Sequence, residues 1–263
     1  MRQRKASVAQ WGMGLLVPLM LLAIWLTASA CGWVAANQLP PPGKVIGTIV
    51  DLAKDGRLGA HIGITLYRVF TGFLLGTAVG VVLGVLNGYV SLARKLLDPL
   101  IQAVRNVPSL AWVPLFILWM GIYETSKISL IALGVFFPVY LNVLSGIQGV
   151  DRKLLEVGWV HGYRGVELVW HFFLPAALPS LWVGLRGGLG LGWMFVVAAE
   201  IMGASKGLGF LMTDGQTTGR PAIILASILL FALLGKLTDF ILERLGRHVL
   251  VWQDSYAAGR KDV

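Results

Sequence analysis

Four histidines, a single cysteine and thirteen acidic residues are all that this chain of 263 residues offers for bond-making chemistry, and their spacing builds no centre for it. His61, His161, His171 and His248 fall singly, and none belongs to an H-E-x-x-H pair that could hold zinc. Cys31 stands alone, which excludes an intrachain disulfide and a cysteine-rich metal site. A phosphate-binding loop needs G-x4-G-K-[ST], so that backbone N–H groups and the lysine can cradle phosphates. Gly235-Lys236 is followed by Leu237 and has Leu230 where the first glycine belongs. No catalytic residue, metal ligand or cofactor is therefore expected in this chain. Uphill work would draw its energy from another chain or from an ion gradient.

What remains is charge set into apolar sequence, which is costly inside a membrane and marks function by default. Glu200, at the end of Val196-Val197-Ala198-Ala199-Glu200, is the deepest. Two readings stand for it: a group that gates a pathway or meets a solute's counter-charge, or a buried carboxylate paired with arginine or with backbone donors. Arg68 is expected at the external end of a span, where an arriving anion would feel it or where its head would reach the interface. Arg186 and Lys236 are expected to extend towards the cytoplasmic interface, with Asp239 pairing with Lys236.

The elements that must position these groups follow from composition. Hydrophobic residues make up 56% of the chain and charged ones only 13%, where a soluble domain has about half and about a quarter. The chain reads as an all-α membrane protein. A net charge of +9 could point to nucleic acid, but the basic residues are spread over many loops and form no basic-aromatic stripe. A span needs about 20 apolar residues. Six runs meet or approach that length: 12–30, 64–86, 98–120, 128–144, 181–202 and 222–241. The first could instead be a signal peptide ending at Ala28-Ser29-Ala30, but it exceeds the usual apolar region of about 7–15 residues, so an uncleaved span is preferred. The third is interrupted by Pro108 and Pro114, and the fourth carries Pro138. The chain thus divides into an N-terminal segment 1–11, a six-span domain 12–242 and a tail 243–263. Placing both ends in the cytoplasm puts 13 of the 22 Lys and Arg residues inside and six outside, in accord with the positive-inside rule.

Span two carries Gly72, Gly76, Gly80, Gly84 and Gly88, spaced every four residues. Such a comb lets a neighbouring helix backbone approach closely. The alternative is that it lines a pathway and lets helices slide.

The segment 151–179, DRKLLEVGWVHGYRGVELVWHFFLPAALP, is the long polar interruption between spans. Asp151 suits a helix start. Leu154, Leu155, Gly158, Trp159 and Gly162 recur at three and four residues, which gives one apolar face. Gly162 can take the positive φ that ends a helix. A second short helix, 166–173, is expected to stop at Pro175 and Pro179 before the next span. An ordinary cytoplasmic loop with some helix has the same features.

Glu156-Val157-Gly158-x3-Gly162, nine residues, then Phe172-x-Leu174-Pro175 resembles the E-A-A-x3-G-x9-I-x-L-P loop of ABC-importer permeases. Glutamate, glycine, leucine and proline match at the right spacing; Val157, Gly158 and Phe172 depart from the pattern. Leu39-Pro40, His61, Arg105-Asn106-Val107-Pro108, Phe137-Pro138, Leu185-Arg186 and Gly207-Leu208-Gly209 are similar to the subfamily for aliphatic sulfonates, taurine and nitrate. The resemblance implies a type I importer permease fold like that of the methionine importer. It implies that Glu156, Gly158, Gly162, Leu174 and Pro175 dock and couple to an ATPase. It also implies an inner-membrane homodimer with two cytoplasmic ABC ATPases, which carry the ATP and magnesium, and a periplasmic or extracellular solute-binding protein. The implied solute is an alkanesulfonate, with taurine, nitrate or a thiamine precursor as alternatives. An ion-coupled secondary transporter would instead need inverted repeats and a mid-membrane ion site, and neither is found.

Overall fold

The computed structural model describes the chain from Arg2 to Val251, with side chains from Leu16 onward apart from Ser109. Arg260 and Lys261 of the tail, and the side chains of Arg2, Arg4 and Lys5, lie outside the described residues. The described residues form helices α1 (Arg2–Ala30), α2 (Pro42–Lys54), α3 (Arg57–Tyr89), α4 (Ser91–Arg105), α5 (Trp112–Met120), α6 (Glu124–Gln148), α7 (Arg152–Val160), α8 (Gly165–Leu168), α9 (Leu174–Ile201), α10 (Leu208–Thr217) and α11 (Pro221–Val249).

Among the described residues four helices are long and apolar enough to cross a membrane: Arg57–Tyr89, Glu124–Gln148, Gly165–Ile201 and Pro221–Val249; Leu16–Ala30 of α1 is a shorter apolar stretch. The expected span 98–120 is not one helix. α4 ends at Arg105, a 3-10 turn occupies Ser109–Ala111, and α5 follows. Pro108 causes the break, because it lacks an N–H and pushes the residue before it out of helical geometry. At about 1.5 Å per residue, α4 and α5 are each too short for a bilayer of about 30 Å and would cross it only together. α3, by contrast, begins at Arg57 rather than near residue 64 and runs 33 residues, about 50 Å, beyond the hydrocarbon.

α6 is the centre of the bundle. Val135 and Val139 are fully buried on it. On one side the α3 comb faces it: a β-carbon built at Gly72 would lie 2.7 Å from Ile131 Cβ, at Gly80 3.0 Å from Val139 Cβ, and at Gly84 2.8 Å from Val143 Cβ. At Gly76 it would meet the carbonyl oxygen of Ala132, and at Gly88 it would lie 2.8 Å from Ile147 Cγ2. All five glycines therefore face α6, and sliding along a pathway is not the role this geometry gives them. On the other side Gly184, Gly188 and Gly192 of α9 form a second comb, with hypothetical β-carbons 2.9 Å from Asn142 Cβ, 3.1 Å from Val135 Cγ1 and 3.3 Å from Val135 Cγ2. The four-residue spacing was readable in the sequence and was missed there. Two stiff β-branched residues are thus clamped between two glycine faces, the close approach that stabilises helices in lipid.

α11 is fastened to α9 by polar contacts. Trp193 Nε1 donates to Thr238 Oγ1 at 2.9 Å, and Trp182 Nε1 donates to the Leu242 carbonyl at 3.2 Å. Gly246 leaves the space that the Trp182 indole fills. Arg186 forms a two-pronged pair with Asp239 at 2.9 and 3.0 Å and reaches Glu243 at 3.2 Å. The expected Lys236–Asp239 pair is present only at 3.8 Å, so Arg186 is the principal partner of Asp239 and does not simply extend to the interface. A guanidinium matches a carboxylate at two points, which an ammonium cannot do.

Candidate coupling surface and external clasp

The polar segment after α6 folds as the residue types dictate. The Asp151 side chain accepts the N–H of Lys153 at 2.9 Å and caps α7. At the other end Gly162, with φ of +84°, donates to the Trp159 carbonyl, and Tyr163 donates to the Gly158 carbonyl, both at 3.0 Å. That pair of bonds is a Schellman closure, which satisfies the last carbonyls of the helix. No neighbour lies within 4 Å of a β-carbon at Gly162, so this glycine serves conformation alone. Gly158 serves space. It is buried, and a β-carbon there would lie 2.7 Å from Leu168 Cδ1 and 3.1 Å from Phe172 Cε2.

Glu156 is exposed on α7 and accepts from Arg152 Nε at 3.1 Å. Around it the surface is apolar: Leu154, Val157, Trp159, Val160, Val166 and Trp170 are all exposed, Val160 to 85%. Of the repeating positions that form the apolar face, Gly158 is buried, while Leu154 and Trp159 face outward. The loop thus offers an exposed apolar surface with the carboxylates of Glu156 and Glu167 beside it.

Pro175 and Pro179 do not stop the second helix as expected. Gly165–Ile201 is one continuous helical run of 37 residues. Residues Val169–Phe173 form a π-turn, and Leu174 donates to the Val169 carbonyl across it. Pro175 then stands in the first turn of α9, where a missing N–H is tolerated, and the wider π-turn absorbs the break in register. Leu174 and Pro175 are therefore the joint between the loop and the span.

At the opposite end of α9 lies Glu200, 1% exposed. Its Oε1 accepts from Thr65 Oγ1 and from Arg68 Nη1, each at 2.8 Å, and its Oε2 accepts from the Gly209 N–H at 2.8 Å. Arg68 is 2% exposed and does not reach out to an interface as expected. It also donates to Glu124 through Nε at 2.6 Å and Nη2 at 2.7 Å, and to the Lys206 carbonyl at 2.7 Å. Of the two readings of Glu200, this geometry is that of the buried, paired carboxylate. Neither Glu200 nor Arg68 presents a free group to solvent.

The same cluster holds the start of α10. Gly207 donates to His61 Nδ1 at 3.0 Å and Leu208 to Thr65 Oγ1 at 3.0 Å, while Gly209 donates to Glu200. Three otherwise unpaired N–H groups at a helix start are thereby satisfied by side chains from α3 and α9, with a carboxylate at the positive end of α10. Gly207, at φ of +128°, and Gly209 are both required. A β-carbon at Gly207 would overlap the Glu200 carboxylate, and one at Gly209 would lie 2.6 Å from Glu200 Cβ. His61, Arg68, Glu200 and Gly207-Leu208-Gly209, scattered in sequence, meet here. Sequence reasoning missed Thr65 and Glu124: one neutral hydroxyl and one carboxylate at a helix start carry no pattern of their own.

Gly203-Ala204-Ser205-Lys206-Gly207 has the G-x-S-x-G spacing of a nucleophile elbow. That motif needs a strand-to-helix turn. Here it links α9 to α10, and the nearby His61 is already bonded to Gly207. Ser205 is an exposed loop residue without that machinery.

A family model for binding-protein-dependent transport system inner membrane components matches residues 76–251. Over 246 residues the chain is 44% identical to a Bacillus subtilis (strain 168) protein named as an aliphatic sulfonates transport permease, SsuC, covering 94% of this chain and 89% of that one. Over 237 residues it is 34% identical to the Escherichia coli (strain K12) taurine transport system permease protein TauC, covering 88% and 86%. A chain of the MetNI methionine ABC transporter, solved in inward-facing conformations, superposes with a TM-score of 0.62 at 22% identity, over 70% of this chain and 92% of that one.

Proposed function

The chain belongs to the binding-protein-dependent transport system inner membrane components and has the fold of a type I ABC importer permease, and on that premise we propose that it carries aliphatic sulfonates into the cytoplasm. It is a multi-pass inner-membrane permease and not an enzyme; ATP is hydrolysed on a separate subunit. Two copies of the chain enclose the pathway. Two ATPases, carrying ATP and magnesium, bind the exposed surface of α7 and α8. A solute-binding protein delivers the sulfonate from outside, and both termini lie in the cytoplasm. Closure of the ATPases draws the two coupling loops together and turns the cavity outward; hydrolysis resets it, an exchange between two states biased by ligands.

The observation that carries the substrate is the 44% identity across nearly the whole chain to the sulfonate permease. The coupling role rests on the exposed apolar patch beside Glu156 and on its direct continuation into α9. Vesicles holding this chain with its ATPase and binding protein should take up ethanesulfonate only with ATP on the ATPase side. Uptake of taurine or nitrate in its place would change the solute and keep the permease. Uptake without the ATPase would overturn the reading.

The coupling surface lies outside the apolar spans: Glu156 is exposed, and among the described residues nothing packs on Gly162, so the strain of a larger residue at its φ of +84° falls on the α7–α8 turn. Loss of a docked charge contact costs about 2–5 kcal/mol, and about 1.4 kcal/mol is tenfold in affinity. Glu156→Lys with Gly162→Leu should reach the membrane at normal level yet neither retain the ATPase in a pull-down nor import solute. Normal retention would refute the assignment.

A further inference from the structure

α9 joins two places that the permease reading leaves unconnected. Its helical run begins at Gly165 in the coupling surface and ends at Ile201, next to Glu200 in the external cluster. At about 1.5 Å per residue this run is roughly 55 Å long. A π-turn at Val169–Phe173 and the prolines at 175 and 179 lie at its loop end; from residue 180 to Glu200 neither a proline nor a π-turn interrupts it, so this rod carries Glu200 with it when it moves. At Glu200 the rod is bonded to α3 through Thr65 and Arg68, and to α10 through Gly209. Arg68 extends the connection to α6 through Glu124 and to the loop before α10 through the Lys206 carbonyl. Thr65, Arg68, Glu200 and Gly209 are buried, while Glu124, with a side chain 45% exposed, and Lys206 close the cluster towards the surface. An ion pair with such satisfaction does not separate readily, since parting it would strand two charges away from water.

We propose that Glu200 and Arg68 are positioning residues for transport: they form the joint through which α9 carries α10 and the external loop 202–207 along with α3 and α6, as one body, when the ATPases close. In this arrangement the joint stays shut throughout the cycle. The external mouth opens by movement of these bodies relative to the second copy, and α10 presents to the binding protein whatever position α9 has taken. The proposal rests on the permease reading above.

The test uses the assembled complex of chain, ATPase and binding protein in lipid nanodiscs, with ATPase activity measured with and without ethanesulfonate-loaded binding protein. Wild-type complex lacking any stimulation would count against the permease reading, independently of the joint. Given stimulation in the wild type, Glu200→Gln, which keeps shape and removes charge, should bind the ATPase and keep its basal rate within about twofold. Its stimulation should fall about tenfold or more. Thr65→Ser, which retains the hydroxyl, should keep the stimulation that Thr65→Val loses. Undiminished stimulation in assembled Glu200→Gln complex would overturn the joint and leave the cluster a folding element. Should Glu200→Gln not assemble, the stacked pair His61 and Phe210, with ring centroids 5.9 Å apart, provides the second measurement. In a Cys31→Ser background, His61→Cys with Phe210→Cys is bridged by a short bifunctional thiol reagent. A joint that moves as one body remains stimulated and transports when bridged. Loss of transport on bridging, recovered on cleavage of the bridge, would show that the cluster opens in the cycle and overturn the proposal.

Discussion

Two glycines four residues apart in the coupling loop act by different physics. Gly162 is required for a left-handed φ with open space around it, and Gly158 for the space that Leu168 and Phe172 occupy. The loop pattern of ABC permeases has alanine at the position of Gly158 and isoleucine at that of Phe172. In this chain the two departures touch, so a smaller residue on α7 accommodates a larger one on the π-turn. Gly158→Ala alone should overpack this contact at about 1–3 kcal/mol, lowering both thermal stability and ATPase retention. Phe172→Ile in the same chain should recover at least half of that loss. A double-mutant cycle with no coupling between the two sites would show that the departures are independent.

At the scale of elements, α6 is held by two glycine faces, and the sequence displayed both. The cost of adding a methyl differs along the α3 comb. At Gly76 the added carbon meets the backbone carbonyl of Ala132, which a side-chain rotation cannot relieve. At Gly80 it lies 3.0 Å from Val139 Cβ, and a shift of a few tenths of an ångström suffices. Gly76→Ala should therefore lower the unfolding temperature in detergent more than Gly80→Ala does. Gly80→Leu, which fills the groove, should abolish stable protein rather than change solute preference. A Gly80→Leu protein that unfolds normally and transports would mean that α3 and α6 part more easily than their packing indicates.

For the whole molecule, the coupling surface and the clasp stand at opposite ends of α9, so assigning a side to one assigns the other. On the orientation proposed above, which follows the excess of Lys and Arg, residue 153 lies in the cytoplasm and residue 54 outside. In a Cys31→Ser background, a membrane-impermeant thiol reagent added to intact cells should label Lys54→Cys and spare Lys153→Cys. Inside-out vesicles should reverse the pattern. Labelling of Lys153→Cys in intact cells would invert the protein and move the ATPase surface to the wrong side.

The sequence by itself determined what depends on local spacing. Apolar runs gave the long helices, Asp151 and Gly162 gave the two ends of α7, and the four-residue glycine period gave the face that packs on α6. The prolines divided: Pro108 interrupts its run as its residue type predicts, whereas Pro175 and Pro179, expected to stop a helix, are carried inside one, Pro175 in the first turn after a π-turn. Only the tertiary structure decided the partners of the charges set in the spans. Arg68 and Glu200 are 132 residues apart, and Arg186 and Asp239 are 53 apart. Arg68, Glu200 and Arg186 each looked like a lone charge in apolar sequence because its partner comes from another helix. Which helices face one another, and at what height, is set by the packing of the whole bundle. Burial then turned two candidate pathway charges into a closed ionic cluster, since in a low-dielectric interior a charge persists only with its opposite beside it.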